Sequence, residues 1–140
     1  LKEILNRTTG STIPTTDTIL EPVSAKSSIE QMKRLVRKVV VADPLLEVIV
    51  RIISALTPNG EFGTETVNTY VRYGPGPRAA QAIMLSAKVA ALLDGRINLS
   101  FEDIKTVVVP ALRHRVILNF QADADNINTD EIIEEVINAR

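Results

Sequence analysis

Residues 77–94, "PRAAQAIMLSAKVAALLD", place the tightest constraint on what this chain can fold into. Before the closing Asp94, the only polar side chains are Arg78, Gln81, Ser86 and Lys88. A helix apolar nearly all round has to be surrounded by other elements, so the sequence predicts the central helix of a bundle. Its many alanines let neighbouring helices approach closely. Gly95 stands where a helix of this length ends in a left-handed residue.

The approach to that helix is unusual. In "RYGPGPRAAQA", two Gly-Pro pairs stop the chain and Arg78 is the first charged side chain of the helix. A helix N-terminus carries about half a positive charge and unsatisfied N–H groups, so a cation there is repelled by up to about 1 kcal/mol. The sign reverses when an anion is present, because the amides and the guanidinium then converge on it. Gly76 at the cap would leave the amides uncovered, and Pro77 would set the direction of the helix. Gly76, Pro77 and Arg78 are therefore candidate anion-binding residues. On the residues alone, an exposed or carbonyl-bonded arginine is the favoured account of the motif, since a lone Gly-Pro-Arg is weak evidence for an anion site.

The flanking segments supply the rest of the bundle. Residues 1–7, "LKEILNR", read as the tail of a helix, and the Thr/Ser-rich stretch through residue 26 reads as an extended linker. Within it Ile19, Leu20 and Val23 are candidates for docking on a neighbour. The helical domain is expected over residues 27–140, opened by a Ser27–Glu30 capping box. Ile29, Met32, Val36 and Val39 recur at helical spacing, with Lys33, Arg34, Arg37 and Lys38 on the other side. The β-branched run "VVVA" (residues 39–42) is expected to leave the helix as an extended piece. Asp43 as cap and Pro44 at the first helical position restart it. Through Leu56 the polar residues are Glu47, Arg51 and Ser54, one narrow wet stripe on an otherwise buried helix.

Residues 57–77 read as a loop of about 20 residues, a length that often marks function. After the central helix, Ser100 and Asp103 form a second capping box, with Phe101, Ile104, Val108 and Leu112 on one face. Pro110 is expected to kink or break that helix. "RHRVILNF" reads as a short strand or irregular segment, and "QADADNIN" as a polar loop. Thr129 then caps a last helix that buries Ile132, Ile133, Val136 and Ile137. The predicted fold is all-α: a compact bundle of about five helices with at most a very short β element.

Several chemistries are missing. With 16 basic against 17 acidic residues, net charge −1 and 4% aromatics, nothing points to nucleic acid. There is no cysteine, which excludes disulfides and thiolate metal sites and suggests a cytoplasmic home. The single histidine, His114, rules out a multi-histidine metal centre, and no acid at useful spacing orients it as a base. "DAD" at Asp123–Asp125 lacks the glycine and trailing ligand of a calcium loop, so no metal ligands are assigned. No apolar run approaches the roughly 20 residues of a membrane span. The sequence contains no G-x-x-x-x-G-K-[ST] phosphate loop.

The motifs gain meaning together. "YVRYGPGPRAAQAIMLSAKVAALLDGRINLSFEDIKTVVVPALRHRVILNF" resembles the C-terminal helical lid of MoxR-type AAA+ ATPases. A G-x-S/G-P-R-A element opens the central lid helix in that family, followed by G-R-x-x-V/L-x-x-E-D-I and L-R-H-R-hydrophobic segments. "RLVRKVVVADPLLEVIVRII" resembles the first lid helices and "LKEILNR" the end of the large ATPase subdomain, giving a boundary at 26/27. Gly76 departs slightly, standing where the family often has Ser.

The resemblance implies that Arg78 is the sensor-2 arginine, a catalytic residue reaching the terminal phosphates of ATP, with Gly76 and Pro77 beside it at the nucleotide. ATP with Mg would be held mainly by an N-terminal ATPase subdomain, so that these 140 residues alone are inactive. It further implies a chaperone-like role and a ring, commonly hexameric, in which the lid meets neighbouring subunits. A von Willebrand factor A domain protein is the implied partner. The alternative is a stand-alone helical protein-interaction module without nucleotide chemistry.

Overall fold

The computed structural model describes residues 22–139. The readings of residues 1–7 as a helix tail and of residues 8–21 as a linker, with docking by Ile19 and Leu20, lie outside the described residues, as does the side chain of Val23. The chain divides into two units, Leu1–Leu35 and Val36–Arg140. The first contributes most of helix α1, Pro22–Lys38. This helix begins before Ser27, so the Ser27–Glu30 box does not open it. Its basic residues Arg37 and Lys38 fall in the last turn, favourable to the dipole. Ile29 and Met32, half of the periodic apolar set, are exposed, whereas Val39 is buried.

The second unit holds the core. The β-branched run leaves the helix as expected: Val40 lies extended and bridges in parallel to Asn98, its N–H donating to the Ile97 carbonyl at 2.9 Å. Helix α2 (Asp43–Ala55) follows, but Ala42 takes the cap position and Asp43 sits in the first turn, where its charge suits the dipole without capping. The helix buries Ile49, Ile52 and Ala55, and exposes Leu46 and Val50, so its solvent face is wider than one polar stripe.

The stretch read as a long loop is partly ordered. Thr64 accepts from the Val67 amide and caps a short helix, α3 (Glu65–Tyr70). Strand β1 (Val71–Tyr73) continues from it and pairs antiparallel with β2 (Ile117–Leu118). This two-stranded ribbon is the very short β element, and Val71 faces Leu118 across it.

Helix α4 (Pro77–Leu93) packs chiefly on α5 (Phe101–Leu112) and next on α2. Its buried row is Ala79, Ile83, Ala87 and Ala91, four residues apart throughout, so small side chains carry the close approach. Among the described residues the expectation of a helix enclosed on every side does not hold: Leu85, Val89 and Leu93 are exposed, Leu93 at 83%. Gly95, at φ +72°, completes the C-cap. Its N–H donates to the Leu92 carbonyl and that of Arg96 to the Ala91 carbonyl, the paired reversal that satisfies orphan carbonyls.

Pro110 lies inside α5, which runs two residues past it rather than breaking there. Only the last turn loses a backbone donor at that position. The polar segment 121–128 is a loop only in its second half: Asn119 accepts from the Ala122 amide and caps α6 (Phe120–Ala124), and residues 125–128 form the turn that follows. For α7 (Thr129–Asn138) the cap is Asn128, in a reciprocal box with Glu131, and Thr129 is the first helical residue. Ile132, Ile133, Val136 and Ile137 are buried as the pattern requires. The described residues thus form an all-α bundle, its core running from Ile49 through Ile83, Ile104 and Leu112 to Ile133.

Candidate functional site

The Gly-Pro-Gly-Pro-Arg element joins the ribbon to the central helix, and each residue has a distinct local reason. At Gly74 the chain crosses the end of α2 so closely that a Cβ would lie 2.5 Å from the Leu56 carbonyl oxygen and 2.9 Å from the Thr57 Cα. Only glycine fits there. Pro75 is buried and anchors the turn. Gly76 is the N-cap of α4, extended at φ −90° and ψ −175°, a conformation open to any residue. A Cβ on Gly76 would meet nothing within 4 Å. Pro77 follows at the start of the helix, where its missing donor costs nothing.

The helix start so formed is electropositive and bare. It has no side-chain cap and no acid in its first turn. Ala79, fully buried, fixes the helix on the core, while Arg78 beside it is exposed. Among the described residues Arg78 makes no hydrogen bond or ion pair, so it is not tied to a carbonyl there. Gly76, Pro77 and Arg78 are contiguous at one helix end, where the Arg78 side chain is exposed.

Two other arginines are engaged in ion pairs. Arg96 grips the buried Asp103 with both terminal nitrogens, Nη1 to Oδ2 at 2.8 Å and Nη2 to Oδ1 at 2.5 Å. Asp103 also accepts from the Ser100 amide and hydroxyl, both at 2.8 Å, while Ser100 Oγ accepts from the Asp103 amide. The Arg96 guanidinium, then the Ser100 donors, hold the Asp103 carboxyl far below the usual carboxylate range against the opposing effect of burial. Arg113 pairs with Asp130, tying the end of α5 to the start of α7. The Asp125 carboxylate, through hydrogen bonding, and then burial push the Tyr70 phenol above its ordinary value. His114 is exposed. Among the described residues no cluster of histidines and carboxylates could hold a metal.

Two residues of the site's framework escaped the sequence reading. The demand on Gly74 comes from a non-local contact with Leu56. The grip of Arg96 on Asp103 had a signal, an arginine immediately after the cap glycine and seven residues ahead of a capping-box acid.

Two glycine substitutions separate aim from capping. Gly74→Ala is expected to lower stability by about 1–3 kcal/mol, since neither backbone atom can yield cheaply. Gly76→Ser is expected to be neutral or stabilising by a few tenths of a kcal/mol, because it adds a cap in open space. Thermal melts of both variants check this ordering.

Comparison with known proteins places these features in a lineage. Residues 64–136, just over half of the chain, match the AAA lid domain family. The chain belongs to that family. Its relatives place it on the MoxR branch: over 93 residues it is 32% identical to chaperone MoxR1 of Mycobacterium tuberculosis, covering 66% of this chain and 25% of that protein. Over 120 residues it is 30% identical to the uncharacterized protein YeaC of Bacillus subtilis, covering 86% of this chain and 35% of that one. The crystal structure of a candidate ATPase from Cytophaga hutchinsonii superposes with a TM-score of 0.77 at 29% identity. That match covers 97% of this chain and 40% of the other. This MoxR-type lid thus spans between a quarter and two-fifths of the length of these relatives. Among the described residues no helix is long and apolar enough to cross a membrane.

Proposed function

We propose that this lid supplies a sensor-2 arginine, Arg78, to ATP bound on an ATPase subdomain of the same protein, and couples nucleotide state to the conformation of a ring. The supporting observation is the bare start of α4: an exposed arginine with no partner among the described residues, on a helix N-terminus lacking both cap and acid. Such an end attracts phosphate, and a guanidinium beside it adds two directed donors. The residues present fit a terminal phosphate and offer nothing for its Mg ion, which the other subdomain would hold. Charge developing on the transferring phosphoryl oxygens would be stabilised by Arg78 in place, without reorganisation. Gly76 and Pro77 take part by leaving the amides uncovered and by aiming them. Neighbouring subunits of a ring, commonly hexameric, would read the lid's position. The name of the M. tuberculosis relative supports a chaperone-like role. A von Willebrand factor A domain protein is the partner class we propose for that role, and the cytoplasm the compartment. The segment ahead of residue 27 would belong to the linker and the large subdomain.

Isothermal titration tests the division of labour. The 140-residue chain alone is expected to show no micromolar binding of Mg·ATP. The same chain joined to its ATPase subdomain is expected to bind ATP and release phosphate. Micromolar binding by the lid alone would overturn the division.

A further inference from the structure

A cavity of about 350 Å³ opens between α2, the segment ahead of α3, the start of α5 and the end of α7. Its walls include Val48, Ile52, Phe62, Phe101 and Ile137, and among the described residues the one charged lining residue is Arg51. No residue of the Gly-Pro-Arg element lines it, so the site is independent of the nucleotide reading.

Arg51 is held in a particular way. Its guanidinium lies over the Phe62 ring, 5.2 Å from the centroid. A contact of this kind uses the positive charge and does not consume the guanidinium's N–H donors. Among the described residues no acid pairs with it, whereas Arg96 and Arg113 each have a carboxylate partner. Thr64, also in the lining, accepts from the Val67 amide at 3.2 Å through its hydroxyl oxygen, which keeps its own proton to donate. An apolar chamber with one pre-set cation and one hydroxyl donor suits an occupant that is apolar in body and anionic at a single point. Glu61, Glu65 and Glu102 adjoin lining residues in sequence, which disfavours a run of acidic residues.

From this complementarity we propose that the cavity receives the C-terminal residue of a partner polypeptide, an apolar side chain filling the chamber and its α-carboxylate meeting Arg51. A bidentate guanidinium–carboxylate pair is the strong, directed contact that such an end provides. A chain end gives one carboxylate beside one apolar side chain and no further charge.

Fluorescence anisotropy with fluorescein-labelled Ala-Ala-Ala-Leu, as free acid and as C-terminal amide, tests this on the full-length protein. The free acid is expected to bind at least ten times more tightly than the amide. Arg51→Gln, a substitution at an exposed position, is expected to abolish that preference while leaving the melting curve in place. Equal binding of acid and amide, or no binding of either, would overturn the proposal without any variant. So would an Arg51→Gln protein that keeps the preference.

Discussion

Arg78→Ala, in the protein that carries the ATPase subdomain, is expected to lower ATP hydrolysis by about 100-fold, the scale of losing one preorganised donor to a transition-state oxyanion. The fall should appear in kcat more than in KM, because the proposed contact would strengthen as charge moves to the terminal phosphate. Stability should barely change, by no more than about 2 °C in Tm, since Arg78 is exposed and bonds to nothing among the described residues. Removing a cation from a helix N-terminus even relieves a small repulsion. Arg78→Lys keeps the charge but not the planar fork and should fall between the two. Steady-state phosphate release alongside a thermal melt decides the matter. A large loss of stability with unchanged turnover would make Arg78 a structural residue.

The central helix and its two ends were legible because their signals are local. Pro77 admits only a first-turn position in a helix, Gly76 suits the cap before it, and Gly95 suits the left-handed residue after it. The Ser100–Asp103 box is likewise a matter of neighbours in sequence. Residues 57–74 were not legible, because what orders them is distant. Val71 needs Leu118 to become a strand residue, and Asn119 closes the ribbon by donating to the Thr69 carbonyl at 2.6 Å. Neither contact leaves a trace in local composition.

The helix starts at Ala42 and Asn128 were each misplaced by one residue. Asp43 and Thr129 are good capping types, but the first helical turn can hold them as well, and packing decides between adjacent frames. The surplus apolarity of α4 carries a different lesson. Apolar periodicity reports that a face is to be covered, not that this chain covers it, and Leu85, Val89 and Leu93 stand exposed. The candidate site shows the same division. Its residues are contiguous and could be read directly, whereas the close crossing at Leu56 that forces Gly74 could not.

Asp103→Ala is expected to produce the largest loss of stability from a single charged residue in this fold, about 2–3 kcal/mol, or roughly 7–10 °C in Tm. Asp103 is 4% exposed and accepts from Arg96, the Ser100 amide and the Ser100 hydroxyl at once, so its removal ends the reciprocal half of the α5 capping box and the closure of the α4–α5 turn together. The value lies below that for a fully buried pair because Arg96 keeps about a third of its side chain in solvent and can rehydrate. Acid should expose the same interaction. A carboxyl whose folded pKa is depressed stabilises the protein fully above its unfolded value and loses that contribution as pH falls towards the folded one. The wild-type melt should therefore decline progressively below about pH 4. Asp103→Asn, which keeps the shape but cannot ionise, should be less stable at pH 7 and less sensitive to acid, so the two curves converge at low pH. Parallel curves across that range would show that the carboxyl's charge contributes nothing. The hydrogen-bond geometry of the cap would then carry the turn alone.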